Sequence, residues 1–119
     1  MNKRSIGSRY EEQAASYLCG LGYQILARNF RAHAGEIDLI VRDETCLVFV
    51  EVKYRADTRF GSGEFHVDRR KQDTIYKVAR FFLMRYFPYH PPVCRFDVIA
   101  INGAGEVHHI ENAFEGRGN

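Results

Sequence analysis

The stretch GEIDLIVRDETCLVFVEVKY, residues 35–54, predicts two β-strands joined by a turn at residues 43–45. Both strands consist mainly of apolar residues, yet they also contain Asp38, Glu51 and Lys53. Charged side chains are almost never buried unless they are paired or bound to a metal ion. These three residues therefore mark the candidate functional site of the chain.

The geometry of a hairpin brings the two acids together. A turn centred just after Glu44 places Asp38 opposite Glu51 and Glu36 opposite Lys53, with all four side chains on one face. Opposed side chains have Cβ atoms about 4.5–5.5 Å apart, and like charges in that position destabilise a sheet. Two carboxylates at this separation can share one hard cation through oxygen ligands, so the pattern favours a metal site. A solvent-facing hairpin in which the lysine pairs with an acid is the alternative.

The other face of the hairpin is expected to be wholly apolar and to pack into the core. It consists of Ile37, Leu39, Val41, Val48, Val50 and Val52. On the charged face, the end away from the acids is apolar too, so the acids cluster at one end of the sheet. A cleft can form there.

Two acids that hold a divalent metal beside a lysine are suited to hydrolysis. The metal lowers the pKa of bound water and polarises a phosphoryl oxygen, and the lysine stabilises developing charge or positions the water. The sequence contains no GxSxG, no HExxH and no glycine-rich phosphate loop. Of the five histidines, His33 and His66 are the better catalytic candidates, because each is expected in a loop near the acids.

The whole chain predicts one α/β domain, residues 1–119, with a core at about 7–112 and a disordered tail at 115–119. The predicted elements are a helix at about 8–21, strands at 23–29, 36–42 and 46–54, a helix at about 68–87, and strands at 93–101 and 106–110. Residues 55–67 lack a clean period and are expected to form a mobile loop. This order predicts a mixed β-sheet flanked by α-helices.

Composition narrows the class of protein. The chain has 17 basic and 15 acidic residues, and this small excess cannot by itself indicate a polyanionic partner. No apolar run approaches the roughly 20 residues of a membrane span, and no secretion signal is apparent. Cys19, Cys46 and Cys94 lie in apolar settings without metal-ligand spacing, so we expect them to be buried thiols in a reducing compartment, the cytoplasm.

Asp38 followed by Glu51-Val52-Lys53 resembles the signature of the PD-(D/E)xK nuclease superfamily, with Ile37 in place of the proline. A wider pattern resembles the YraN-type family of uncharacterised bacterial proteins from about Gly7 to Ile101. Its residues are Glu11, Ala14, Tyr17, Leu18, Gly22, Tyr23, Arg28, Asn29, the segments 35–40, 49–53 and 95–99, Arg55, Phe60, Gly61 and Lys71.

The YraN-type family is similar to archaeal Holliday junction resolvases. The resemblance implies a restriction-endonuclease-like fold and Mg²⁺ (or Mn²⁺) as the metal. It fits a nuclease-like protein that acts on nucleic acid, with branched DNA as one candidate, but it does not define the substrate. It also implies that Glu11, on the first helix, reaches the site as a further acid.

Basic residues cluster next to the predicted site. Arg69, Arg70 and Lys71 open the second helix, where cations are unfavourable by roughly 0.3–1 kcal/mol each and phosphate is favoured. With Arg55, they are the candidate nucleic-acid ligands; a solvated helix start is the alternative. Tyr54, Phe60 and Phe65 either stack on bases or anchor the loop.

Two further features leave alternatives open. Asp97, inside an apolar strand, is either an outer acid of the site or a structural partner of Arg95 or Arg80. The aromatic face of the second helix suits a homodimer. Two alternatives to a nuclease remain. One is a non-catalytic nucleic-acid-binding module, and the other is a protein-interaction subunit with a vestigial site.

Overall fold

The computed structural model describes residues 3–44, 46–58 and 66–115. Its elements are α1 (Lys3–Gly20), β1 (Gln24–Ala32), β2 (Gly35–Asp43), β3 (Cys46–Tyr54), α2 (Arg69–Tyr86), β4 (Val93–Ile101) and β5 (Val107–Phe114). The predicted order is confirmed, although α1 starts before residue 8 and β5 continues past residue 110. Residues 59–65 of the predicted loop, with Phe60 and Phe65, and residues 116–119 of the predicted tail lie outside the described ranges.

The strands form one sheet in the order β1-β2-β3-β4-β5. β1, β2 and β3 are antiparallel neighbours, β3 and β4 are parallel, and β5 returns antiparallel to β4. The parallel pair requires a crossover, and α2 lies within it. The sheet is therefore mixed, as predicted, and compatible with a restriction-endonuclease-like fold.

Each helix covers one face of the sheet. Ala14, Ala15 and Leu18 of α1 pack on one face, while Ile75, Val78, Ala79 and Phe82 of α2 pack on the other. The spacing of each buried set follows the helical period, which explains why both segments were predictable as amphipathic helices.

Local interactions fix the position of α2. The Asp68 carboxylate accepts a hydrogen bond from the Lys71 amide at 2.8 Å and caps the helix, as predicted. Against β2, an ideal Cβ atom at Gly35 would lie 2.5 Å from the Thr74 Cγ2 atom. The glycine therefore allows α2 to approach the strand that carries Asp38.

The register of the central hairpin is confirmed over part of its length. Paired residues run from Asp43–Cys46 to Leu39–Val50, as the predicted turn requires. Beyond that point β2 stays paired with β1, and β3 stays paired with β4. The sheet therefore opens between β2 and β3 where the acids are located.

The prediction that Ile37 shares a face with Leu39 is wrong. Ile37 packs with Ile40 on the α2 side, whereas Leu39 packs on the α1 side. In a regular strand, residues three positions apart point to opposite faces. Ile37 and Ile40 share a face, so the alternation is broken between them, where Asp38 lies. The neighbouring strand is irregular at the same level, since Asn29 has a φ of 50°.

The cysteine prediction also needs correction. Cys19 is exposed near the end of α1, and Cys46 and Cys94 are only partly buried. Cys19 has apolar neighbours in the sequence, but its position on the helix turns its side chain away from the sheet. All three are free thiols.

Neither helix within the described ranges is long and apolar enough to cross a membrane.

Candidate metal-dependent active site

Asp38 and Glu51 come together where the β2–β3 pairing ends. The Val52 amide donates a hydrogen bond of 2.8 Å to Asp38 Oδ2, so a side-chain carboxylate links the two strands past the last residue pair. The Glu51 side chain is only 13% exposed. Glu51 acts on the pKa of Asp38 both through its charge and through a carboxyl–carboxyl hydrogen bond, so the two groups are close neighbours.

This contact changes the acidity of Asp38. Burial, followed by the charge of Glu51 and a hydrogen bond with Glu51, raises its pKa from 3.8 to about 8, against the opposing effect of the Val52 amide. Two contacting carboxyl groups carry excess negative charge that a proton or a cation can neutralise. The donor set therefore fits a hard divalent cation.

Glu11 approaches this pair from α1. Its charge contributes to the raised pKa of Asp38, and its Oε1 atom accepts a hydrogen bond of 2.8 Å from Asn29 Nδ2. Within the described ranges, no three His, Cys, Asp or Glu residues lie close enough to hold one metal ion together. Asp38 and Glu51 are thus the direct ligand candidates, and Glu11 is a nearby third acid.

Lys53 follows Glu51 on β3 and donates a hydrogen bond to the main-chain carbonyl of His66. The expected opposition of Glu36 and Lys53 is wrong, because the strands have separated at that level. Glu36 lies beside β1 instead, with its Oε1 atom 3.7 Å from Arg31 Nε. The ammonium group of Lys53 is therefore held by the segment that leads into α2.

The four predicted nucleic-acid ligands lie in different settings. Lys71 reaches the acids directly, with its Nζ atom 3.6 Å from Glu51 Oε2. Arg69 and Arg70 are exposed at the start of α2. Arg55 donates its amide to Ile101 O at 3.0 Å, and its guanidinium lies 3.6 Å from Asp57.

Two contacts at the site were not anticipated. Sequence reasoning assigned Lys71 to phosphate and not to Glu51, because the contact joins a helix and a strand far apart in the chain. It also missed the link from Asn29 to Glu11. Asparagine is enriched among residues with positive φ, so Asn29 could have suggested an irregularity in β1. Its position in the sequence did not indicate that its side chain bonds to a carboxylate.

Asp97 proves to be a structural partner of Arg95. It is fully buried and accepts from Arg95 Nε at 3.0 Å, from the Asn112 amide at 2.9 Å, and lies 2.7 Å from His109 Nε2. Burial opposes its ionisation, but the hydrogen bonds from His109 and Arg95 hold its pKa below the ordinary value. Every contact of this carboxylate is accounted for within the fold.

Tyr54 is an anchor in this structure, because its ring stacks on Tyr10 with centroids 3.8 Å apart. Of the two histidine candidates, His33 is exposed in the β1–β2 turn. His66 contributes its main-chain carbonyl to Lys53. Among the described residues, neither of these two imidazole rings contacts Asp38, Glu51 or Glu11.

Comparison with known proteins agrees with the sequence resemblance. A model of the uncharacterised protein family UPF0102 matches residues 10–101. The UPF0102 protein of Lachnoclostridium phytofermentans is 44% identical over 119 residues, which is 99% of each chain. That of Halorhodospira halophila is 46% identical over 111 residues, which is 93% of this chain and 88% of the relative.

Proposed function

The chain belongs to the UPF0102 family, and we propose that it is a metal-dependent nuclease that hydrolyses phosphodiester bonds in nucleic acid. The observation that carries the proposal is the contact between Asp38 and Glu51 at the opening of the sheet. A pair of acids in contact destabilises a fold unless a proton or a cation neutralises it, and a structural role does not require such a pair.

Asp38 and Glu51 would hold Mg²⁺ or Mn²⁺ through their carboxylate oxygens, with water and phosphate oxygens completing the shell. The ion supplies Lewis acidity and a bound water of lowered pKa. The ammonium group of Lys53 stabilises negative charge that develops on the phosphoryl group or orients the water. Glu11, held by Asn29, completes the acidic cluster and orients solvent next to the pair.

Positive charge beside the acids supports a polyanionic substrate. The Lys71 ammonium group lies beside the Glu51 carboxylate, and the two preceding residues, Arg69 and Arg70, are exposed on the same helix turn. Arg55 lies just beyond β3. Such cations bind phosphates, and affinity for nucleic acid should fall steeply with salt. We propose DNA, and branched DNA in particular, as the substrate class.

The direct test is cleavage of single-stranded, duplex and four-way-junction DNA, and of RNA, with Mg²⁺ or Mn²⁺. Asp38→Asn and Glu51→Gln keep the side-chain shape but remove ligand charge, and Lys53→Met removes the ammonium group. We expect each to reduce the single-turnover cleavage rate by at least about 100-fold, the scale of losing one transition-state contact.

Glu36→Gln is the matched control, because Glu36 is an acid of the same strand that pairs with Arg31 outside the site. It should cleave at the native rate. Metal-dependent cutting that persists in Asp38→Asn and Lys53→Met would overturn the assignment. Binding without cutting, unchanged in both variants, would favour a non-catalytic nucleic-acid-binding module.

A further inference from the structure

A cleft lies at the end of α2 remote from the acids. Its volume is about 220 Å³, and it is lined by Arg80, Leu83, Met84, Phe87, Pro88 and Pro91. It is formed by residues of the last two turns of the helix and of the proline-containing loop before β4. At 1.5 Å rise per residue, it is about 20 Å along the helix from Lys71.

Apart from Arg80, the lining of the cleft is apolar, and it is accessible to solvent. Met84, in the helix, is 68% exposed, and Tyr89, in the proline-containing loop, is 85% exposed. Large apolar side chains in such a patch mark a binding surface more often than scattered ones do. The volume is below the roughly 300 Å³ at which small-molecule pockets begin, and it suits one inserted side chain.

The segment that forms the cleft carries charge of one sign. No acidic residue occurs between Asp73 and Asp97, whereas Lys77, Arg80 and Arg85 lie in the segment that forms the cleft. Arg80, in the lining itself, makes no ion pair with any residue in the described ranges. An occupant of complementary charge would therefore be acidic.

We propose that this cleft binds an acidic peptide segment of another protein. One apolar or aromatic side chain of the peptide enters between Met84 and Phe87, and a neighbouring carboxylate pairs with Arg80. An apolar anchor next to an arginine is the usual composition of an interface hot spot.

Two other occupants fit the cleft less well. Pro88 and Pro91 have no N–H group to donate to phosphates, so the wall of the cleft is poorly suited to a nucleic-acid backbone. A second copy of this chain offers an acidic and aromatic segment at residues 111–115, but its Phe114 is stacked on Phe96 with centroids 5.1 Å apart. That side chain is committed to the fold.

Selection from a displayed library of random peptides on the full chain tests the proposal. We expect enrichment of peptides that combine acidic residues with one aromatic or long aliphatic residue. A synthetic peptide of the enriched sequence should bind in solution, and Arg80→Glu and Met84→Glu should each weaken it at least about tenfold, or about 1.4 kcal/mol.

Arg9→Glu is the matched control, since Arg9 is an exposed cation on α1; this variant should bind the peptide with native affinity. Circular dichroism would establish that each variant is folded. No enrichment, enrichment without acids, or equal binding by Arg80→Glu would overturn the proposal.

Two other outcomes would also overturn it, each in favour of a different occupant. Self-association of the native chain that Met84→Glu abolishes would assign the cleft to a second copy. Loss of DNA binding in Arg80→Glu and Met84→Glu, without selective peptide binding by the native chain, would assign it to nucleic acid.

Discussion

Asp38 is subject to two opposing demands. The hydrogen bond from Val52 fixes its position between the separating strands. Burial and the negative charge of Glu51 and Glu11 raise its pKa. A buried carboxylate that breaks the strand alternation next to a second acid is typical of a functional site, where the local rules of a fold are violated.

The raised pKa of Asp38 predicts a pH dependence of stability. Its folded-state pKa of about 8 exceeds the ordinary 3.8, so the folded state binds more protons and the metal-free protein loses stability as pH rises from about 4 through about 8. Asp38→Asn should remove this loss. Above pH 8, the metal-free variant should melt at least about 5 °C higher than the native chain.

Thermal melting with and without Mg²⁺ checks this prediction. Mg²⁺ should stabilise the native chain and Glu36→Gln at pH 8 but leave Asp38→Asn unchanged. A native melting temperature that follows the Asp38→Asn curve across the pH range would contradict it.

Asp97 serves stability, in contrast to Asp38. Asp97→Asn should lower the free energy of unfolding by about 3–5 kcal/mol, because Arg95 would keep a buried charge without its main partner. Urea denaturation measures this loss. Because the folded-state pKa is depressed, the difference should be full above pH 4 and shrink as pH falls further.

The same substitution separates stability from chemistry. Asp97 lies on the α1 side of the sheet with Ile99 and Ile101, whereas Glu51 contacts Lys71 of α2. The folded fraction of Asp97→Asn should therefore cleave at the native rate. A folded variant that had lost cleavage would place Asp97 in the active site.

At the scale of elements, the close approach of α2 to β2 assembles the site. It brings Lys71 to Glu51 and the segment before the helix to Lys53. Gly35 makes this approach possible, since any Cβ atom there meets Thr74.

Gly35→Ala should therefore destabilise the protein by about 1–3 kcal/mol, the usual effect of overpacking. Thr74→Ser removes the methyl group that would clash and should partly restore stability in the double variant. A double-mutant cycle by urea denaturation measures the coupling. Strictly additive effects would show that the helix does not pack against Gly35 as described.

For the molecule as a whole, the sequence predicted what depends on short-range pattern. The element order, the Asp68 cap and the register from Leu39–Val50 to Asp43–Cys46 follow from periodicity and turn position. The break in β2 at Asp38 could not be predicted, because the prediction assumed that side chains alternate regularly along the strand. Ile37 lies on the face opposite to the predicted one, which shows that the alternation fails there.

Contacts between side chains far apart in the sequence could not be predicted either. The pairing of Lys71 with Glu51 depends on how closely α2 packs. The bond between Asp97 and His109 depends on the return of β5 beside β4. Neither contact can be read from the spacing of residues along the chain, although Lys71, Glu51 and Asp97 were recognisable as candidate functional residues.

Titration of the metal-free protein with Mn²⁺, followed by electron paramagnetic resonance, tests the central claim that Asp38 and Glu51 hold a divalent cation. We predict one site per chain, displaced by Mg²⁺, lost in Asp38→Asn and in Glu51→Gln, and retained in Glu36→Gln. Absence of binding to the native chain, or binding of equal affinity in Asp38→Asn and Glu51→Gln, would contradict the claim.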